Sequence, residues 1–232
     1  MQPEQNYFQP IEVWQTRESL DWLALLASGN VDAHQIELAA CKQDPWRFLT
    51  HWVQTEDAQN QLNPFQPFPN KLHLQVLTKY WTSERYLLVP KSRQMTCTWL
   101  FAGLYLWDSM FWPSRMTIFQ CKIEQDADAN LKRLATMHER LPAWMREWQP
   151  FKYTYCSGLF PRSRSEILAV PAGAKHYRQR TLTGAWVDEA AFTEEMSEVM
   201  AAAKPALGKT GRFTAISSAT PSYFADLVFD KV

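Results

Sequence analysis

The chain is 232 residues long, 46% hydrophobic and 21% charged, which suits one sizeable folded unit and excludes a mainly disordered protein. Its 24 Lys and Arg are balanced by 24 Asp and Glu, so bulk positive charge cannot hold nucleic acid and any such grip needs a local basic patch. Gly is scarce at 7 and Trp abundant at 11, an aromatic load that implies large buried side chains.

Cys41, Cys97, Cys121 and Cys156 are scattered without CxxC spacing, so neither a zinc site nor a disulfide framework is expected, and a reducing compartment is. The opening MQPEQNYF lacks the basic and apolar regions of a secretory signal. The longest apolar run, Trp99 to Trp107, is too short to span a bilayer.

Residues 1–60 read as a helical N-terminal segment. Ser19 to Ser28 carries Leu20, Leu23, Leu25 and Leu26 before Gly29, a helix and its stop. Asp32 can cap a second helix reaching Cys41. Asp44-Pro45 is a cap followed by a first-turn proline, opening a third helix with Trp46, Phe48, Leu49 and Trp52. From Gln54 to Asn70, Pro64, Pro67 and Pro69 with little periodicity predict a loop. Asn70 then caps a helix over Lys71–Trp81, with Leu72, Leu74, Val76, Leu77 and Tyr80 inward.

Arg85–Val89 predicts a short buried strand, Pro90–Cys97 a loop, and Thr98–Met110 a helix apolar on nearly all sides, hence central. Met116–Gln120 is a second strand, and Gln125–Arg140 a polar-faced helix with Leu131, Leu134 and Met137 inward. Lys152–Cys156 and Glu166–Val170 read as strands joined by a loop over Ser157–Ser165. Gly184–Val187 is another strand, Thr193–Ala203 a helix, and Arg212–Ser217 a further strand. This alternation predicts an α/β fold over residues 61–232, with a mainly parallel central sheet flanked by helices.

Three of the strand ends carry chemistry. The first is Lys91-Ser92-Arg93-Gln94-Met95-Thr96-Cys97-Thr98. A nucleoside triphosphate at such a turn needs backbone N–H groups, one ammonium and a hydroxyl for Mg²⁺. Aligned on the phosphate-loop pattern GxxxxGK[ST], Thr98 is in place, Cys97 occupies the lysine position, and Lys91 and Thr96 stand where the glycines would be. Lys91, at the front of the loop, can curl back and supply the missing charge. The second site is Asp188-Glu189, two acids ending an apolar strand: one to hold a metal, one to polarise water. The third is Ser217 to Pro221, a small hydroxylated turn able to sense a γ-phosphate. Each has a plain alternative: a surface lysine, the acidic start of a helix, an ordinary turn. Their coincidence at the carboxyl ends of strands, where a parallel sheet holds its ligand, favours one nucleotide site.

In that order the trio KSRQMTCTW, WVDEAAF and SSATPS resembles the ATPase domain of the tailed-phage terminase large subunit, the motor that pumps DNA into a procapsid. Arg93-Gln94 matches a pair typical of that family's phosphate loop, and some members place the functional lysine where Lys91 stands. The resemblance extends over about residues 45–225. It implies a RecA-like P-loop NTPase of the ASCE type that hydrolyses ATP with Mg²⁺. It assigns ATP binding to Lys91, Ser92, Arg93, Gln94, Met95, Thr96, Cys97 and Thr98, metal binding to Thr98 and Asp188, and catalysis to Glu189. Ser218-Ala219-Thr220 matches the family's coupling motif, and Gln75 is the candidate for its adenine-reading glutamine. In KHYRQR, Arg178 and then Arg180 are candidates to reach a neighbouring subunit's ATP.

The implied partners are double-stranded DNA, the portal protein, the small terminase subunit and further copies in a ring, in the host cytoplasm with no membrane. Arg162, Arg164, Lys175, Arg178 and Arg180 form the candidate DNA patch, with Lys132 and Arg133 as the alternative. The chain has no room for the family's nuclease domain, so a C-terminally shortened ATPase core without nuclease activity is expected. Two other readings remain. DEAA and SAT also resemble helicase motifs, though a helicase needs a second RecA-like domain. A catalytically weak nucleotide- or DNA-binding scaffold fits Cys97 and the missing glycines.

Overall fold

The computed structural model describes residues 17–57, 59–178, 180–193, 195–218 and 220–229. Three helices come first: α1 (Arg17–Ala27), α2 (Val31–Gln43) and α3 (Pro45–Trp52). As the sequence predicts, the Asp44 carboxylate caps α3 by accepting from Trp46 N at 2.8 Å, and Pro45 fills the first turn. The cap of α2 is Asn30, whose side-chain oxygen accepts from Ala33 N at 2.9 Å; Asp32 instead lies inside the first turn, where its charge suits the helix dipole.

One buried carboxylate ties the three helices together. Glu37 accepts from Arg47 at 3.0 and 2.7 Å, from the Trp22 indole at 3.1 Å and from the Trp52 indole at 2.8 Å. Burial alone pushes this acid up, but those donors and the Arg47 charge hold it below the usual glutamate range.

The span predicted as a loop contains a small antiparallel hairpin, β1 (Gln54–Glu56) with β2 (Phe65–Pro67). Strands of three residues are too short to display alternation, and the prolines hide them further. Next, α4 (Leu72–Ser83) starts from Lys71 with no side-chain cap, so Asn70 does not cap it. Its buried face is Leu74, Thr78 and Trp81, whereas Leu72, Val76 and Tyr80 are exposed. The buried stripe follows the helical spacing i, i+4, i+7; of the five residues expected inward, Leu74 is buried and Leu77 packs against the core, while Leu72, Val76 and Tyr80, equally helical in spacing, lie on the opposite face.

The rest of the chain runs β3 (Tyr86–Pro90), α5 (Cys97–Phe111), β4 (Met116–Gln120), α6 (Glu124–Glu139), α7 (Ala143–Trp148), β5 (Lys152–Thr154), β6 (Ser157–Phe160), β7 (Ser165–Val170), β8 (Gly184–Asp188), α8 (Met196–Leu207), β9 (Arg212–Ser217) and α9 (Tyr223–Val228). Seven strands form one sheet in the order β3-β9-β8-β4-β7-β6-β5. The first five are parallel, and β6 and β5 add an antiparallel edge. The strand β6 falls in the expected loop 157–165. Its Gly158 looks like a turn residue but serves close approach: a Cβ there would lie 2.6 Å from the Phe151 ring.

Side chains alternate across the sheet. Phe119, Trp186 and Ile216 pack into one core with α5, α6 and residues of α3 such as Phe48 and Leu49, while Ile118, Val187 and Phe213 pack into a second with α8 and Phe224. From Leu100 to Phe111 every residue of α5 is buried, the central helix its composition predicts. Each fully buried large aromatic side chain stabilises by up to about 3 kcal/mol. Parallel register brings Pro90 beside Ser217, Ile216 beside Asp188, and Val187 beside Gln120, so these strands open their carboxyl ends on one edge. Among the described residues, no helix is long and apolar enough to cross a membrane.

An acid-labile contact lies within this core. His138 of α6 is buried, and its Nε2 donates to Gln149 O at 2.7 Å. Burial depresses its pKa from 6.5 to about 4. The unfolded chain therefore takes up this proton first. Stability present above pH 6.5 is lost as pH falls towards 4, on the order of 3 kcal/mol in all. Urea unfolding across that range is expected to show the loss in the wild type and a flatter profile in His138→Gln. Equal slopes would contradict this assignment.

Candidate active site

The loop between β3 and α5 begins on the sheet, where Lys91 N donates to Ser217 O at 2.8 Å. It then turns through two left-handed residues, Gln94 (φ 60°) and Thr96 (φ 61°). Thr96 occupies the second glycine position of the phosphate-loop pattern, and its backbone takes a conformation that glycine adopts freely and a β-branched residue rarely does. Strain of this kind, on the order of 1–2 kcal/mol, persists where surrounding structure imposes it. No side chain caps α5, so its first-turn N–H groups lack a side-chain acceptor. His73 of α4 donates from Nε2 to Met95 O at 3.2 Å and pins the loop from below.

Cys97 cannot replace the absent lysine. Its Sγ lies 3.6 Å from Met95 O, and burial pushes its thiol above the usual range despite the nearby Lys91 charge, so it stays neutral. Lys91 stands at the front of the loop. The Lys91 side chain is only 10% exposed and crosses to Glu189, with Nζ 3.4 Å from Oε1.

At the end of β8, Asp188 is buried and Glu189 half-exposed. Thr98 Oγ1 donates to Asp188 Oδ2 at 3.2 Å, joining the two sequence-predicted metal ligands. Asp188 Oδ1 accepts from Glu189 N at 2.9 Å, and Glu189 adopts φ 54°, which turns the chain sharply away from the strand. Burial pushes the Asp188 carboxyl above the usual aspartate range, against the opposing pull of Lys91 and the Asn130 hydrogen bond. A hydroxyl and a carboxylate beside a helix start form a hard oxygen donor set that fits Mg²⁺.

A cavity of about 610 Å³ opens above the loop. Lys91 and the run from Gln94 to Trp99 line one side and the β1–β2 hairpin another, with Thr55, Gln59 and Gln66. Its volume lies in the range of small-molecule sites. Ser92 and Arg93 are exposed and do not line it. Neither does Gln75, which faces a separate cavity with Asp44, Trp46 and Lys79. Besides Gln94 of the loop itself, the glutamines that face the loop cavity, Gln59 and Gln66, come from the hairpin that the sequence did not reveal.

Ser217 Oγ accepts from Ala191 N at 3.1 Å, linking β9 to the turn after Glu189. Ser218 and Thr220 are half-buried just beyond, and Ser222 Oγ donates to Thr220 O at 3.1 Å before capping α9. Ala219 lies outside the described residues. Arg178 and Arg180 are exposed and line a third cavity, with Glu198 of α8. They are not part of the loop cavity of their own chain. The neighbouring Tyr177 donates its hydroxyl to Gln120 at the end of β4 and so anchors this segment to the sheet.

Of the candidate DNA patch, Arg162, Arg164 and Lys175 are exposed. The alternative pair divides: Lys132 bonds Asp128 at 3.0 Å, while Arg133 lines the loop cavity. The sequence reading missed Asn130. Its Nδ2 donates to Asp188 Oδ2 at 3.2 Å, and its Oδ1 accepts from Arg133 Nη1 at 2.6 Å. The available signal was a polar residue on the buried face of α6, among Ala127, Leu131 and Leu134.

The chain matches no protein-family model and no curated protein. Solved structures do resemble it. The HK97 bacteriophage large terminase superposes with a TM-score of 0.66 at 12% identity, over 82% of this chain and 40% of that one. The Thermus phage P74-26 large terminase ATPase domain gives 0.55 at 16% identity, over 75% of this chain and 74% of that one. The large terminase of a thermophilic bacteriophage gives 0.54 at 16% identity, over 72% and 43%. The chain thus spans about two fifths of the length of the two large terminases. What it shares with these proteins is the RecA-like α/β fold.

Proposed function

We propose that this chain is an ATP-hydrolysing motor domain of the terminase type, which drives double-stranded DNA into a procapsid. The observation that carries the reading is the convergence of Lys91, Thr98, Asp188 and Glu189 at one edge of a parallel sheet, where Lys91 and Thr98 also line a loop cavity. Lys91 and the loop N–H groups bind the triphosphate and orient it. Thr98 and Asp188 hold Mg²⁺, which when bound neutralises phosphate charge. Glu189 accepts a proton from the attacking water, and its side chain is exposed enough to meet one. Ser217 to Thr220, joined to the turn after Glu189, pass the change to α9.

Arg178 and Arg180, exposed and outside their own loop cavity, suit a role at the ATP of an adjacent copy in a ring. Portal protein and small terminase subunit are the further partners of this reading. A second reading, a nucleotide-binding scaffold with weak turnover, draws on Cys97 and the strained Thr96.

ATP hydrolysis measured with and without double-stranded DNA tests the proposal. Turnover is expected to rise with DNA, and that stimulation to fall steeply with salt as phosphate contacts are screened. Nucleotide binding without turnover would favour the scaffold, and no nucleotide binding would overturn both readings.

A further inference from the structure

Among the residues lining the loop cavity, two carry a positive charge: Lys91 and Arg133. Lys91 pairs with Glu189 at 3.4 Å. Among the described residues, Arg133 forms no ion pair. Its guanidinium lies 6.0 Å from the Trp99 ring centroid, and Nη1 donates to Asn130 Oδ1 at 2.6 Å. Asn130 is 2% exposed, and its carboxamide is used on both sides: Oδ1 holds the arginine, and Nδ2 bonds Asp188 Oδ2 at 3.2 Å. Thr98 Oγ1 reaches the same Asp188 oxygen. A cation at the cavity is therefore wired through one buried amide to the acid that faces the metal position.

The elements around this relay are fixed. Asp128, two residues before Asn130 on α6, accepts from Tyr153 Oη at 2.9 Å and from Cys156 N at 2.8 Å, which holds α6 against the β5–β6 edge. The carboxylates that line the cavity, Glu56 and Asp57, belong to the hairpin side, which leaves the side of Lys91 and Arg133 for an anion.

We propose that Arg133 is the second phosphate-binding cation of this cavity, acting beside Lys91, and that Asn130 is the positioning residue that couples it to Asp188. The inference rests on the triphosphate reading above but adds a residue from α6 to it. With Arg133 on the phosphates, its hold on Asn130 changes, and with it the hydrogen bond to Asp188 Oδ2. Occupancy of the cavity is thereby reported to the metal-facing acid within a single subunit.

Titration of the whole chain with a fluorescent ATP analogue and Mg²⁺ tests this in Arg133→Gln, Arg133→Lys and Asn130→Ala. Circular dichroism and unfolding midpoints check that each variant is folded. Arg133→Gln is expected to weaken triphosphate binding about 10- to 100-fold, the range for losing charge-assisted hydrogen bonds. Arg133→Lys should regain part of it. Asn130→Ala should raise the half-saturating Mg²⁺ several-fold, a change that a purely structural role would not produce in a protein of unaltered midpoint. If the wild type binds ATP and Arg133→Gln binds it equally well, or Lys is as weak as Gln, the arginine assignment is overturned and the triphosphate reading stands. An unchanged Mg²⁺ requirement in Asn130→Ala overturns the relay. A wild type that binds no ATP overturns the reading beneath both.

Discussion

Replacing Lys91 by Ala is expected to lower ATP turnover by roughly 10³-fold, while Cys97→Ala changes it by less than about threefold. The contrast follows from which side chain carries charge. In the usual phosphate loop the residue at position 97 would be the ammonium. Here it is a buried thiol that stays neutral and interacts weakly with Met95 O. Removing such a group costs a small hydrophobic contact. Lys91 enters from the opposite end of the loop, is itself nearly buried, and aims its Nζ at Glu189. Its loss leaves no cation within the loop facing the cavity. Steady-state hydrolysis and nucleotide affinity measured on the two variants provide the check. The reverse pattern, a silent Lys91 and an essential Cys97, would show that the charge has not moved to the front of the loop.

The second large effect concerns Glu189. Glu189→Gln should reduce turnover by roughly 10²- to 10⁴-fold while leaving ATP affinity near the wild-type value. The amide keeps the size of the side chain but can no longer take a proton from water. Binding should survive because the Lys91–Glu189 pair is partly exposed on the acid side, where an ion pair contributes little. Lys91 is also free to engage phosphate once that pair is broken. Single-turnover hydrolysis separates the two quantities. A variant that binds and hydrolyses normally would remove Glu189 from the chemistry.

Much of this was legible in the sequence because strand ends announce themselves. The bounds of β4 and β9 are those read from MTIFQ and RFTAIS, whose apolar and β-branched residues leave little choice. Lys91, Thr98 and Asp188 could be found because each stands at the first residues beyond or the last residue of a parallel strand, or at the helix start that follows. The elements that escaped depend on partners distant in sequence. The hairpin β1–β2 has three-residue strands, and β6 forms because β5 and β7 offer it edges. Asn130 shows its role only when α6 folds over the end of β8, 58 residues further on. Gln75 looked suitable on a helix upstream of the first sheet strand, yet α4 turns it towards Asp44 and Lys79 rather than towards the loop.

Backbone strain adds a point that composition could not supply. Missing glycines first suggest that the loop cannot take a phosphate-binding shape. The structure places Thr96 in the left-handed region all the same, at φ 61° and ψ 8°. This left-handed turn is held between the buried start of α5 and the His73 contact to Met95. Such strain is tolerated where a site needs it.

A crystal structure with a non-hydrolysable ATP analogue and Mg²⁺ tests the central claim most directly. It should show the β- and γ-phosphates within hydrogen-bond reach of Lys91 Nζ and the N–H groups at the start of α5, with the metal between Thr98 and Asp188. A triphosphate bound elsewhere, or a loop cavity left empty at saturating nucleotide, would contradict it.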